Sequence, residues 1–291
     1  MRPLLLVDGN NLLIRAVEAT RNHRTVMANE AGTNTAALVV FANTVARYIR
    51  TEVPFRVTVL WDGGYAARTA LYPAYKANRP QAADPYRSTS RALVRDWLRV
   101  CGIPQLQVDG VEADDLIASY WRTATSPVTI LSNDKDMLQL VGSTPTGHPC
   151  DQIRISSSAT PTDRWGADRV AAHYGCTPEQ LPLFLALVGD GSDNIPGARG
   201  IGEKRAIQHL SDAGWNLDAV TYPAIVSQRA DIDLFLKLVD LRNGTHYPVP
   251  TTSPFMPVRP GPGPEWQTLH AFLQQHGLRE LTRRLTAGEL W

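Results

Sequence analysis

Hydrophobic and polar positions along this chain follow two periods. Short unbroken apolar runs occupy 3–8 (PLLLVD), 56–62 (RVTVLWD) and 127–134 (PVTILSND), and each stops on an acid. Unbroken runs of that length suit strands buried on both faces of a parallel sheet. Between them apolar residues recur at helical spacing. The pattern predicts strand 3–8, helix about 33–51, strand 56–62, helix about 88–101, a short strand near 105–108, helix 112–124 and strand 128–132. Such alternation predicts an α/β fold, a mostly parallel sheet flanked by helices.

The segment 72–90 (YPAYKANRPQAADPYRSTS) is polar, basic and Pro-containing, and reads as a lid or arch over the carboxyl edge of the sheet. Residues 143–163 read as a loop or hairpin. From about 165 onward the spacing is helical, which divides the chain into an α/β core over 1–165 and a helical module over 166–291. The Pro-rich stretch 247–264 is too stiff for a helix and is expected to run over the surface, before a last amphipathic helix over roughly 265–287.

The runs ending on Asp8, Asp62 and Asp134 would deliver three carboxylates to one sheet edge, the edge where open α/β sheets bind ligands. VEADD (111–115), DKD (134–136) and GDGSD (189–193) add Glu112, Asp114, Asp115, Asp136, Asp190 and Asp193. Read linearly, most of these nine acids have no local cation. Like charges gathered in a cleft repel, so such a set implies hard divalent cations, and Mg²⁺ prefers oxygen ligands. Helical phase puts Glu112 and Asp115 on one face, with Asp114 beside it. Acids in a first helical turn also complement the helix dipole, an ordinary alternative for VEADD taken alone.

GDGSDNIPGARGIGEKRA (189–206) places a Gly-rich turn before a basic helix. Gly197, Gly200 and Gly202 allow close approach of a phosphate to backbone amides, with Lys204 and Arg205 adjacent, a combination suited to duplex DNA held without reading its sequence. It is not a P-loop, because Glu203 stands where Lys is required. In YPAYKANR, Tyr75 could stack on a base while Lys76 and Arg79 hold phosphates and stabilise a transition state. Arg15 and Arg68 are further candidates for phosphate contacts.

Composition changes little. The 291 residues carry a net charge of +1, which an acidic site and a basic surface can jointly produce. Only Lys76, Lys135, Lys204 and Lys237 are lysines among 29 basic residues, and three of them lie in these motifs. The three cysteines are far apart, without a disulfide framework or zinc spacing, and the seven histidines show no ligand spacing. The N-terminal apolar run is too short for a signal peptide and no stretch reaches the ~20 apolar residues of a membrane span, so a cytoplasmic protein without a membrane partner is expected.

Taken in order, VDGNNLLIRA, WDGG with Arg68, YPAYKANRP, VEADDLIA, SNDKDMLQLV and GDGSDNIPGARGIGEKRA closely resemble the 5′ nuclease family, across residues 4–206. The family includes the N-terminal domain of bacterial DNA polymerase I, stand-alone bacterial and phage 5′–3′ exonucleases and, more distantly, flap endonucleases. The resemblance implies a PIN-like α/β core with a helix-three-turn-helix DNA-binding module near 185–210. By motif position, Asp8, Asp62, Glu112, Asp114 and Asp115 match a first metal cluster, and Asp134, Asp136, Asp190 and Asp193 a second. Asp114 and Asp115 join Lys76 and Arg79 in the expected catalytic set. Lys76 and Arg79 match arch cations and Tyr75 the nearby aromatic. The 197–204 turn matches a duplex-binding loop that in relatives also holds K⁺. The chain departs from the pattern in a spacing one residue shorter after Asp62, in Asn133 for a Gly, and in Asn10 and Asn11 where small hydroxyl residues are common.

The expectation is therefore a structure-specific 5′–3′ exonuclease and flap endonuclease. It would use two or more Mg²⁺, or Mn²⁺ in their place, about 3.5–4 Å apart. It would act as a monomer in replication or repair on 5′-flap, overhang or nicked DNA, with RNA–DNA primers a further substrate. The rivals are a non-catalytic DNA-structure-binding protein, a Mg²⁺-dependent phosphatase, and a PIN-type RNase, which would be shorter.

Overall fold

Alternate residues of strand β1 (Leu4–Asp8) enter different cores: Leu5 and Val7 face one side of the sheet, Leu4 and Leu6 the other. The computed structural model describes all residues except 22–26, 30–31, 80–81, 83, 156–162, 251–257 and 259. Parts of the expected arch, of the 143–163 hairpin and of the Pro-rich stretch thus lie outside the described residues.

After β1 come α1 (Gly9–Arg21), α2 (Ala36–Glu52), β2 (Arg56–Trp61), α3 (Ala66–Leu71), α4 (Pro85–Val100), β3 (Gln105–Gln107), α5 (Ala113–Thr123) and β4 (Val128–Leu131). A 3₁₀ turn over Asp136–Leu140 leads to β5 (Gly142–Ser143), β6 (Pro149–Arg154) and β7 (Asp163–Trp165). Helices α6 (Ala167–Tyr174), α7 (Leu181–Val188), α8 (Glu203–Asp212), α9 (Pro223–Val226), α10 (Arg229–Val239), α11 (Pro264–Gln275) and α12 (Arg279–Thr286) complete the chain.

The sheet order is β3-β2-β1-β4-β6-β5, with β7 also paired to β6. The pairs β1–β2, β1–β4, β2–β3 and β4–β6 are parallel, and β5 and β7 run antiparallel to β6. Chain progression reverses between β1 and β4, so their carboxyl ends flank a topological switch point. Register puts Leu131 opposite Val7, which brings the residues after β4 level with Asp8.

Three hydrophobic clusters follow. One face of the sheet carries α1, α2 and α4, with Phe41 stacked on Trp61 at 6.2 Å and set edge-on to Trp97. The other carries α5 through Leu116, Ile117 and Trp121. The third joins α6, α7, α8 and α10 around Phe184, Leu185, Phe235 and Leu238.

Several elements differ from expectation for identifiable reasons. Helix α1 was not anticipated; it follows β1 with no residue between them, and Leu12, Leu13, Ala16 and Val17 bury one helical stripe. Helix α4 starts at Pro85, not near 88, since Asp84 caps it by accepting from the Arg87 amide and proline suits the first helical position. Within 143–163, β6 joins the main sheet parallel to β4. The last helix is two, broken where Gly277 takes φ +64°. These two helices bury Leu269, Leu273, Leu278, Leu281 and Leu285 in the cluster of α1, α2 and α4, so the packing of 264–291 belongs with the α/β core although the sequence grouped it with the helical module.

Candidate metal and nucleic-acid site

Each acid reaches the carboxyl edge by a separate local device. Asp8 is the last residue of β1 and 4% exposed. Asp62 follows β2, and Gly63 then runs against the loop before α5: its amide donates to Val111 O (2.8 Å), and its carbonyl accepts from the Gly110 amide (2.8 Å). A Cβ on Gly63 would lie 1.9 Å from Val108 O, so only glycine permits this approach. The result sets Asp62 beside the start of α5, where its Oδ1 accepts from the Ala113 amide at 2.9 Å and its Oδ2 from Asn10. Glu112 is the N-cap residue of α5, and Asp114 and Asp115 lie in its first turn. Asp134 and Asp136 follow β4, joined by the Asp136 amide donating to Asp134 Oδ1 (2.9 Å). Asp190 and Asp193 sit in the turn after α7.

The set divides: four of the nine acids, Glu112, Asp115, Asp190 and Asp193, are ion-paired, while Asp8, Asp62, Asp114, Asp134 and Asp136 are in no ion pair among the described residues. Arg68, from α3, bridges Glu112 Oε2 (2.7 Å) and Asp115 through both terminal nitrogens (2.6 and 2.9 Å). Lys76 donates to Glu112 Oε1 and lies 3.7 Å from Asp193 Oδ2; Arg79 donates to Asp193 Oδ1 at 2.9 Å. Lys135 pairs with Asp190 at 3.1 Å. Burial opposes the charge of Lys76, yet Glu112 and Asp193 raise its pKa overall. Burial likewise opposes ionisation of Asp190, but donors from Ser192 and the charge of Lys135 hold its carboxyl below the usual range.

Asp8, Asp114, Asp134 and Asp136 belong to the unpaired group. Burial pushes the Asp8 carboxyl up to about 7, against the Asn11 amide (3.0 Å) and Ser132 hydroxyl (2.8 Å) that donate to it, and the charges of Asp62 and Asp134 add to the rise. Burial, then Asp134 and Asp8, drives Asp114 well above the ordinary value; burial, then Asp134 and Asp190, does the same for Asp136. Asp134 is raised too, by burial first. Asp136 Oδ1 is buried without a hydrogen-bond partner among the described residues, and Asp136, Asp190 and Asp193 present carboxylate oxygens within 4.8 Å of one another. Hard oxygen donors, excess negative charge and an orphaned carboxylate oxygen fit a divalent cation such as Mg²⁺.

The other candidate residues are placed as follows. Tyr75 is 3% exposed and its hydroxyl donates to Glu112 Oε2 (3.0 Å) and Asp193 Oδ2 (2.9 Å), so in this conformation it orders the acids and offers no face to a base. Arg68 is similarly committed to carboxylates. Arg15 donates to Ile155 O at 2.8 Å, at the far end of β6. The 72–79 segment is stitched to the Asp190–Asn194 turn by Lys76 N to Asp193 O (3.0 Å), Asn78 Nδ2 to Gly191 O (2.7 Å) and Asn194 Nδ2 to Ala74 O (2.7 Å). In the Gly-rich turn, Gly197 packs against Gly189 and Leu187 O, where a Cβ would come within 2.6 Å. Gly200 and Gly202 face open space, and Lys204 and Arg205 are exposed at the start of α8.

Sequence reading did not single out Ser132, Ser192, Asn10 or Asn11 as site residues, though Ser132 also accepts from the Asp134 amide at 3.0 Å. Each adjoins a motif acid, the one signal available. Asn133 ties the strand ends together by accepting from the Ile155 amide (2.8 Å) and donating to Ile155 O (3.0 Å).

An acid-lined switch point on a parallel sheet, joined to a Gly-turn helical module, is the PIN-like 5′ nuclease fold. The bacteriophage T5 flap endonuclease in complex with DNA and metal ions superposes with a TM-score of 0.66 at 20% identity, over 99% of this chain and 98% of that one. The description "5′-3′ exonuclease, N-terminal resolvase-like domain" matches residues 3–175, and the chain belongs to that family. The 5′-3′ exonuclease of Aquifex aeolicus is 30% identical over 253 residues, covering 83% of this chain and 82% of that protein. DNA polymerase I of Pseudomonas aeruginosa is 37% identical over 222 residues, covering 75% of this chain but only 23% of that much longer protein.

Proposed function

We propose that this chain is a structure-specific, metal-dependent 5′ nuclease that removes 5′ flaps and degrades 5′ ends of DNA in replication or repair. The observation that carries the reading is the unpaired part of the site: the buried Asp8 and the half-buried Asp114, Asp134 and Asp136, in no ion pair among the described residues and all with raised pKa values, beside carboxylates that already have cations. A protein that only bound DNA structure would have no use for that unneutralised charge.

In this reading Asp8, Asp62, Glu112, Asp114 and Asp115 hold one Mg²⁺, and Asp134, Asp136, Asp190 and Asp193 a second, with Mn²⁺ able to replace either. Bound metal would acidify water and neutralise charge on the phosphate. Lys76 and Arg79 occupy oxygens of Glu112 and Asp193 that an ion would need, so the loaded site frees both side chains toward the scissile phosphate. There they stabilise charge developed in the transition state, worth a few kcal/mol per donor. Exposed Gly200, Gly202, Lys204 and Arg205 grip the duplex backbone, with K⁺ in the 197–204 turn as an added counter-charge, and RNA–DNA primers are accepted because the backbone is what is held. The protein acts as a monomer.

The test is cleavage of a 5′-labelled flap substrate in Mg²⁺ and in EDTA, with Asp114→Asn and Asp115→Asn alongside. Metal-dependent cutting near the junction, lost in the variants, is expected. Binding without cutting in any divalent metal would sink the nuclease reading.

A further inference from the structure

Strand β4 ends at Leu131, opposite Ile153 of β6, but β6 runs on to Arg154 and meets the loop that carries Asp134 and Asp136. Where strand pairing stops, side chains replace it. The Ser132 amide still donates to Ile153 O at 3.2 Å. The side chain of Gln152, 0% exposed, then donates through Nε2 to both Ser132 O (2.8 Å) and Asp134 O (2.6 Å). Arg154 donates to Asn133 O between them (3.1 Å), and its guanidinium lies 5.2 Å from the centroid of the Trp165 ring, which is buried in the cluster of the helical module. The Asn133 carboxamide answers from the loop, accepting from the Ile155 amide and donating to Ile155 O as a paired strand residue would. A glycine at this position, the residue from which the chain departs, could make neither bond. The Asn133 amide donates to Asn11 Oδ1 (3.0 Å) and the Asp134 amide to the Ser132 hydroxyl (3.0 Å), so every main-chain N–H and C=O of residues 132–134 is engaged.

Surface loops ordinarily leave many such groups to water, so this fastening calls for a physical reason. Charge supplies one. Asp136, Asp190 and Asp193 present carboxylate oxygens within 4.8 Å of one another, and Asp134 is tied to Asp136 through the Asp136 amide. Like charges at these distances repel, and a free loop would relieve the repulsion by swinging its acids outward. Asp190 and Asp193 have Lys135 and Arg79 as counter-charges, whereas Asp134 and Asp136 have no ion pair among the described residues. Their place is kept by hydrogen bonds to the loop that bears them.

We propose that Gln152, Arg154 and Asn133 form a clasp that holds Asp134 and Asp136 against Asp190 and Asp193, and so sets the affinity of the second metal cluster. They are positioning residues, acting through the main chain of the acid loop. Partners that orient metal ligands from outside govern affinity by about 10- to 100-fold, because a ligand set already gathered need not be gathered by the ion. The inference rests on the nuclease reading and deepens it.

The experiment measures Mn²⁺ binding to the metal-free protein by isothermal titration calorimetry, and kcat and KM for a 5′-flap substrate over a series of Mg²⁺ concentrations. Wild type, Gln152→Met and Asn133→Ala are compared with Asp134→Asn, which marks the binding phase that belongs to the second cluster. Gln152→Met nearly conserves volume and removes both donors; should it fail to fold, the half-buried Asn133→Ala decides alone, its own folding checked by a cooperative melt. Each clasp variant is expected to weaken the marked phase by about 10- to 100-fold and to leave the other phase unchanged. At fixed Mg²⁺ it should lower kcat with KM for DNA unchanged, and the loss should shrink as Mg²⁺ rises. A residue that only supported the fold would lower the melting temperature without moving a metal phase. Wild-type Mn²⁺ affinity in Asn133→Ala, and in Gln152→Met if folded, while Asp134→Asn loses a phase, would overturn this inference alone. If Asp134→Asn kept both phases, the placement of Asp134 and the clasp would fall together. A wild type that neither bound Mn²⁺ nor cut would overturn the nuclease reading as well.

Discussion

At the residue scale, the division of the acids predicts an inverted pH response. The folded-state pKa values of Asp8, Asp114, Asp134 and Asp136 are raised, Asp8 to about 7, so the folded protein binds more protons than the unfolded chain above pH ~4. Stability of the metal-free protein should therefore fall as pH rises through that window toward 7, each carboxyl contributing about 1.4 kcal/mol for every tenfold weakening of its acidity on folding. Asp190 has the opposite sign, and its contribution is lost only as pH drops below the ordinary carboxylate range. Thermal melts in EDTA should give a lower Tm at pH 8 than at pH 5, and Mg²⁺ should close the gap. Equal melting at both values would mean that the four aspartates are compensated in solution. By the same logic Asp114→Asn should raise the Tm in EDTA while abolishing cleavage, a combination that a purely structural residue would not produce. Lys76→Met removes one of three donors to Glu112, since Arg68 and Tyr75 remain. Urea denaturation should show a loss smaller than the ~3–5 kcal/mol of a fully broken buried ion pair.

At the element scale, the site depends on loops that approach more closely than side chains allow. The turn after β2 meets the loop before α5 through Gly63, and this contact sets Asp62 against the first turn of that helix. Gly63→Ala would drive a Cβ into Val108 O, so the loops must part, at a cost of about 1–3 kcal/mol or more. Cleavage should fall further than stability does, because Asp62 leaves its position. Gly202→Ala is the control: φ is −94° and its Cβ would meet nothing within 4 Å, so folding should be unaffected. A Gly63→Ala protein that melts and cuts like wild type would show that the two loops are not held together in solution.

At the scale of the whole molecule, the C-terminal helices are part of the first core. Leu269, Leu273, Leu278, Leu281, Leu285 and Leu290 are each at most 2% exposed, packed with α1, α2 and α4, and Trp291 stacks on Trp97 at 6.1 Å. Burying a leucine contributes roughly 1.5–3 kcal/mol, so six of them rival the ~5–15 kcal/mol net stability of a typical protein. Truncation after residue 263 should give a protein without a cooperative melt by circular dichroism. If the truncated chain unfolded as sharply as the full one, these helices would be an appendage. No helix among the described residues is long and apolar enough to cross a membrane.

Much of the outline was legible in the linear order of residues, and physical reasons separate what was from what was not. Strands β1, β2 and β4 announced themselves because a strand buried on both faces must be apolar throughout, and an acid ending such a run can only lie at the sheet edge. The sequence by itself thus determined a parallel sheet with carboxylates along one edge, and the motif order that resembles 5′ nucleases. Helix α1 was hidden because it follows β1 with no loop between them, and the parallel pairing of β6 with β4 because it falls in the 143–163 stretch that reads as a loop or hairpin. Only the tertiary structure decided which acids are neutralised. Arg68, Lys76, Arg79 and Lys135 lie far along the chain from most of the acids they meet, and whether a cation meets a carboxylate depends on distances that folding sets, over a gap of 114 residues between Arg79 and Asp193. The same folding turned Tyr75 inward and left Tyr65 at the surface, a choice made by packing against Glu112 and Asp193 and invisible in the spacing of the two tyrosines.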